Sequence, residues 1–595
     1  MKEGIHKSNK IEKGSFKDIV FSLSGKIYEL TDRIESLKGR KAEHIALLLY
    51  IIAHFLMCLV HEPWFDEALS WLISRDSSLY DILFTAPHYE GHPSLWHLVL
   101  VPFAKGGLSY ELSLSIVSLA FSGTAVALFV YKSPFKRIVR ILVPFTYFFF
   151  YQYSVISRPY CMMMLVFMLM AITYRDRDIR PGRFVLSIWF LCLTSAYGLV
   201  IAGGISIVWL IEMLSDAYKT SQNKNSDNGE SRGTIRIFVE DHLIKNGKIF
   251  WLLGLLIYAL FIIYRIIPAD DAYAVLKAED EAIMPLALRT LYMFFGMISD
   301  LFITNTYSYG TTISVSGLGL IDILPSVVIG AVVLASLIIM AKVKHLLLIL
   351  IIPYSMLAAS MSYLYMSRHH MGIALLFLVF FAWVYFEDDS GVFKEKLKVN
   401  QEGFRKVKKT DNNRHTERNI KVLLVTIVLT VGIFISLYWS ISSAIVDIVS
   451  DYSLGRDEYA FLEKNDLLDK SILAEWEEMP VVYEDDIQPV TFSGVITALL
   501  PYMEQDTFYN SPSKAGYNYS LIHKVPLSVV TEDLIKKIRK NPEPDIIIGE
   551  PEFSKMYFST FSMADYECVY EGSGGLIWKG VPEMYSEKIY VKKRK

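Results

Sequence analysis

The sequence predicts an α-helical polytopic membrane protein with a soluble α/β domain at its C-terminal end, and three observations lead there. Of its 595 residues 53% are hydrophobic, and the mean hydropathy is +0.34, which puts most of the chain in lipid. Apolar stretches of membrane-crossing length recur from residue 43 to 446 with short loops between them. Basic residues gather in alternate loops, as the positive-inside rule requires of a chain that weaves back and forth. The abundant aromatics (36 Tyr, 35 Phe and 10 Trp) suit interfacial belts and carbohydrate-facing surfaces. The net charge of −3 says little as a total, because the signs are separated along the chain. The cysteines, at 58, 161, 192 and 568, have neither disulfide-framework nor zinc spacing.

Residues 1–42 are polar and Lys-rich and read as a cytoplasmic tail, not a cleavable signal. A helix over 16–38 would lie along the membrane surface through Phe16, Ile19, Val20, Leu23, Ile27 and Leu30. The first span covers 43–60, and the loop 61–110 follows. Within it the apolar run 94–104 would reach only about 16 Å as a helix, half the hydrocarbon thickness, and is expected to be juxtamembrane. Further spans are expected at 111–131, 138–154, 157–174, 184–197, 198–214, 249–267, 323–341, 345–362, 370–386 and 421–446, about eleven in all. This count leaves Lys132–Arg140, Arg175–Arg183, Lys342–Lys344 and the basic loop 387–420 inside, with the N-terminus. The division of 184–214 rests on turn residues at Thr194–Gly198. In the second outer loop, 268–322, the apolar stretch 284–304 carries Arg289 and Asp300 and is expected to lie on the surface. The Asn/Ser/Lys-rich stretch 219–233 reads as a flexible inner loop. Residues 447–595 turn polar, with a helical pattern at 530–540 and strand-like runs at Asp545–Gly549 and Gly575–Lys579, and form the outer α/β domain.

With this topology four polar clusters meet on the outer side: Asp66-Glu67, Glu90-Gly91-His92-Pro93, Ser157-Arg158-Pro159-Tyr160 and Ser367-Arg368-His369-His370. Asp66 has two compatible roles. It caps the helix Ala68–Leu72, or it is the base that takes the proton of an attacking hydroxyl. Arg158 and Arg368 either snorkel to head groups or grip a lipid phosphate through paired hydrogen bonds. Glu90 to Pro93 reads as a Gly-Pro turn, which leaves Glu90 and His92 for function. Tyr89, Trp96 and Tyr160 stack on a sugar or belong to the aromatic belt. His369-His370 is too short a motif for a metal site.

These clusters resemble the GT-C superfamily of integral-membrane glycosyltransferases, above all the protein O-mannosyltransferase and aminoarabinose (lipid A) transferase families. Trp64-Phe65-Asp66-Glu67-Ala68 is similar to the acidic pair those enzymes carry in the first outer loop. Gly91-His92-Pro93-Ser94-Leu95-Trp96 looks like their His-Pro-Pro-Leu-Tyr element, with Ser in place of the second Pro. Ser154–Tyr160 resembles a Ser-x-Glu-Ala-Arg-Pro-Tyr element in which Ile156-Ser157 replaces Glu-Ala, and Arg368-His369 is a weaker match to a late Arg-Tyr element. The likeness covers about 43–390. It implies inverting transfer of a sugar from a polyprenyl-phosphate donor to an acceptor hydroxyl on a glycan, lipid or protein at the outer face of the cell membrane. Asp66 would be the base, with Glu67 beside it, and Glu90, His92, Arg158, Tyr160, Arg368 and His369 would hold donor phosphate and sugar. No cofactor is required; a divalent metal is compatible with the motifs but not indicated by them. Membrane lipids are the expected surroundings, and no nucleic-acid partner is indicated. A transporter of lipid-linked saccharides would instead show internal repeats or broken helices near the bilayer centre. A non-enzymatic assembly or sensor protein would leave the outer clusters without a use.

Overall fold

A computed structural model describes residues 33–36, 38–228, 234–239, 242, 247–269, 286–306, 320–363, 368–387, 412–474, 481–482, 487–488, 494–503, 544–549 and 563–594. The chain is mostly helical, with a small C-terminal sheet. Every stretch expected to span carries a helix. Eight are long and apolar enough to cross a membrane: Lys41–Cys58, Tyr110–Lys132, Arg137–Val155, Ala196–Gln222, Lys248–Ile266, Ile321–Val343, Arg368–Glu387 and Thr430–Val449. Three others, Tyr160–Tyr174, Pro181–Cys192 and Leu347–Tyr363, are apolar but shorter. The 15-residue Tyr160–Tyr174 helix reaches about 22 Å.

The faces of these helices are inverted relative to a water-soluble bundle. Lys41–Cys58 turns Ile45, Leu48, Leu49, Ile52, Phe55 and Leu56 outward and buries Tyr50 and His54. Lys248–Ile266 likewise exposes Phe250, Leu253, Leu256, Ile257, Leu260 and Phe261. Apolar outside and polar inside is the arrangement lipid demands, because a polar group there must find its partner within the bundle. The interior partners are present. His54 Nε2 and the Ser118 hydroxyl both bond to the Ser154 carbonyl, at 2.8 and 2.6 Å.

Basic residues cluster at one end of the bundle. Arg137 and Arg140 meet the buried Glu43 carboxylate at 2.9 and 3.1 Å, Lys248 meets Asp178 at 2.7 Å, and Lys344 Nζ donates to the Tyr385 carbonyl. The described residues of the four polar clusters lie beyond the opposite ends of these helices, Asp66 after Lys41–Cys58 and Arg158 after Arg137–Val155.

Several expectations change. The run 138–154 is not one regular helix: Arg137–Leu142 gives way to a 3-10 turn at Val143–Phe145 and then to a π-helix, Phe148–Val155, buried throughout. Instead of forming a loop from 219, the chain stays helical to Asn228, and 229–233 lie outside the described residues. The described part of the stretch 284–304 does not simply lie on the surface: Leu286–Leu291 has no buried residue, but the chain after it turns inward. Its Tyr292, Met293 and Met297–Asp300 are buried against Leu320–Val343, which crosses so closely that a Cβ on Gly330 would overlap the Phe295 carbonyl. Asp300 tolerates this burial because Tyr292, Thr304 and Thr306 hydroxyls and the Thr306 N–H all donate to it. The split at Thr194–Gly198 and the juxtamembrane helix Leu95–Ala104 are both found; the latter packs Trp96, Leu100 and Ala104 on Trp71 and Leu114. The helix expected over 16–38 lies outside the described residues apart from 33–36 and 38, as do all of 530–540 and, in the basic loop, 388–411.

The C-terminal sheet has the order β1-β4-β6-β5, and a separate pair, β2 and β3, spans Val481–Val482 and Ile487–Gln488. β1 (Ile472–Ala474) runs parallel to β4 (Ile546–Ile548), and β4 pairs antiparallel with β6 (Val581–Lys592). β5 (Tyr566–Trp578) and β6 form a long hairpin. Its two-residue turn, Lys579-Gly580, has φ of +50° and +83°, the left-handed pair that a tight hairpin turn demands. This tip is buried in the helical unit. Trp578 packs on Tyr147 and Phe148 and donates to Asn305 Oδ1 at 3.0 Å. Lys579 Nζ donates to the Asp300 and Thr304 carbonyls and lies 4.1 Å from the Trp439 ring centre.

Candidate functional site

The first loop enters the site through the helix Phe65–Asp76. Because the helix begins at Phe65, Asp66 does not cap it. That role falls to Glu67 at the third position, whose Oε2 accepts the Trp64 N–H at 3.2 Å. Glu67 Oε1 also accepts the Ser157 N–H at 2.6 Å, 90 residues along the chain. Both oxygens are engaged, so this fully buried carboxylate joins the loop to the turn that carries Arg158. Asp66 turns the other way and forms an ion pair with Arg158.

Arg158 owes its position to a break in the helices. The π-helix ends at Val155, the chain turns through Ile156 and Ser157, and Pro159 starts the helix Tyr160–Tyr174. Such π segments often mark functional positions, since the extra residue displaces side chains from their regular rows. Tyr153 in that segment donates to the His369 carbonyl at 2.7 Å and so ties in the turn Arg368–His370. His369 thereby comes within electrostatic reach of Arg158, Arg368 and His92. Asp66, Arg158, His92, His369 and Arg368, drawn from three distant stretches, belong to one site.

His92 follows Gly91, whose φ of +62° closes the helix Ala86–Glu90 in the left-handed region. Burial pushes the His92 imidazole down to about 4, so it is neutral at pH 7 and serves as a hydrogen-bonding group. Its Nδ1 has no partner among the described residues. Burial pushes Glu90 up to about 7. Tyr160 is buried, with its ring stacked on Tyr153 at 4.8 Å and tilted against His369 at 5.8 Å. Trp96 is buried as well. Both support the site from within and are not part of an interfacial belt.

Several groups at the site escape inspection of the motifs. His61 is buried between two carboxylates, with Nδ1 2.9 Å from Asp447 Oδ2 and Nε2 3.3 Å from Glu67 Oε2. Burial opposes its charge, but Asp447 and Glu67 outweigh burial and push it up to about 10. Tyr151 also donates to Asp447, at 3.0 Å. The available signal was Asp447 itself, an acid near the end of an apolar helix. Arg456 binds Glu111 at 2.8 Å, Glu62 at 3.5 Å and the His61 carbonyl at 3.2 Å. Burial, aided by neighbouring acids, pushes Glu62 up to about 8 against the pull of Arg456. Glu583 on β6 reaches Arg368 at 2.8 Å, and the Trp578 ring lies 5.6 Å from the guanidinium. The C-terminal unit therefore contributes to the site.

Fold and site together define a polytopic helical membrane protein with a polar, ion-paired site at one end of its bundle and a sheet docked over it. No group of three or more potential metal ligands occurs among the described residues. No protein-family model matches the chain, and no curated protein is significantly similar to it.

Proposed function

We propose that the protein is a GT-C-type glycosyltransferase with about eleven crossings. It moves a sugar from a polyprenyl-phosphate donor to an acceptor hydroxyl on the outer face of the cell membrane, with inversion. The observation that carries this reading is the ion pair of Asp66 with Arg158, beside His369, which lies within electrostatic reach of Arg158, Arg368 and His92. The segregation of charge supports an N-terminus inside and a site outside.

In this reaction the acceptor oxygen attacks the anomeric carbon on the face opposite the phosphate, and its proton passes to Asp66. The bond from carbon to phosphate oxygen breaks, and its electron pair stays on the phosphate. Arg158 and Arg368 stabilise that charge, while neutral His92 contributes a hydrogen bond. The transition state has oxocarbenium character, as in glycoside hydrolysis. Glu67 fits the holding role, since its oxygens already accept two backbone N–H groups.

Asp66→Asn is the test. It should keep expression and binding of the lipid donor and abolish transfer, because an amide does not take the proton. Near-normal turnover would remove Asp66 as the base. Intact-mass analysis of envelope glycans from a deletion strain identifies the sugar that is lost.

A further inference from the structure

Arg368 and Glu583 form an unequal pair. The guanidinium side chain is 15% exposed and the carboxylate side chain 41%. Glu583 therefore remains close to water and leaves at little cost, since an exposed partner contributes weakly to an ion pair. A phosphate offers the same guanidinium more charge and two parallel hydrogen bonds. The exchange requires no movement of the sheet. The hairpin tip is anchored independently, by Trp578 on Asn305 and by Lys579 on the carbonyls of Asp300 and Thr304. Rotation of the Glu583 side chain alone breaks this ion pair.

We infer that Glu583 is the exchangeable counter-ion of Arg368, and that the C-terminal hairpin thereby sets the site's affinity for a lipid phosphate. This rests on the reading of Arg368 as a donor-phosphate ligand. The carboxylate competes with the phosphate for one guanidinium, and a head group without negative charge does not displace it.

The experiment measures binding of a long-chain polyprenyl monophosphate to the full chain in nanodiscs, with the neutral polyprenol and free inorganic phosphate as comparison probes. Wild type should prefer the phosphate lipid over the polyprenol, and inorganic phosphate should compete poorly because it lacks the chain. Glu583→Gln should bind the phosphate lipid about three- to fivefold tighter, the modest gain expected from losing a half-exposed competitor, and should bind the polyprenol as before. Arg368→Gln should lose about tenfold or more, and adding Glu583→Gln to it should bring no gain. If Arg368→Gln weakens binding but Glu583→Gln leaves it unchanged or weaker, Glu583 does not compete, and the inference falls while the donor-site reading stands. If Arg368→Gln binds like wild type, the donor-site role of Arg368 falls first. A gain from Glu583→Gln that persists without Arg368 would also overturn the inference.

Discussion

Replacing His61 by leucine removes the cation from between Asp447 and Glu67 and leaves two carboxylates buried without it. The magnitude follows from the geometry. Contacts of 2.9 and 3.3 Å raise the imidazole from 6.5 to about 10, which corresponds to about 5 kcal/mol in favour of the charged form. Removing one member of a buried ion pair typically costs about 3–5 kcal/mol, in agreement. The pH dependence has a definite direction. The folded state binds the His61 proton more tightly than the unfolded chain, so this stabilisation is full below pH 6.5 and is lost as pH rises through about 10. The assay is unfolding of purified protein in detergent across that range for wild type, His61→Leu, Asp447→Leu and the double variant. His61→Leu should lower stability by about 3–5 kcal/mol at pH 6 and remove most of the decline toward pH 10. The double variant should be less damaged than the two single losses sum to, by more than about 1 kcal/mol, because the groups are in contact. A loss from His61→Leu under about 1 kcal/mol, or strict additivity, would refute the charged triad.

Two further outcomes concern the docked sheet. Trp578→Ala should destabilise the protein by about 3–5 kcal/mol through the cavity it leaves between Tyr147 and Phe148. It should also open β5 and β6 near the turn to amide hydrogen exchange; unchanged exchange there would mean that the ring does not anchor the hairpin. Glu458, buried on the helix Gly455–Lys464 near Glu587, is pushed up to about 7 by burial. Its raised value makes folding less favourable as pH rises from 4.5 through about 7. Glu458→Gln should therefore equal wild type near pH 4 and exceed it at pH 8, and the reverse order in thermal midpoints would contradict this assignment.

The polar clusters could be read from the chain, whereas their partners could not. Asp66, Arg158 and Arg368 stand out because charge beside an apolar segment needs a reason. The capping role expected of Asp66 was removed by one detail, the helix starting at Phe65, which moves the cap to Glu67. A boundary shift of that size is invisible to hydropathy. For Tyr160 the sequence did not show that its ring is stacked on Tyr153.

By itself the sequence determined the polytopic helical character and the positions of the apolar helices, the segregation of basic residues along the chain, the short helix at Leu95–Ala104 and the change of character near residue 447. All of these follow from composition over a window of neighbours, since transfer into lipid is summed along a local segment. Only the tertiary structure decided that Tyr292, Met293 and Met297–Asp300 are buried, and that the C-terminal hairpin enters the helical unit. It alone paired His61 with Asp447, 386 residues away, and Arg368 with Glu583, 215 residues away. A buried charge takes whichever opposite charge the fold brings within about 4 Å, and that choice is not encoded in any neighbourhood of the chain.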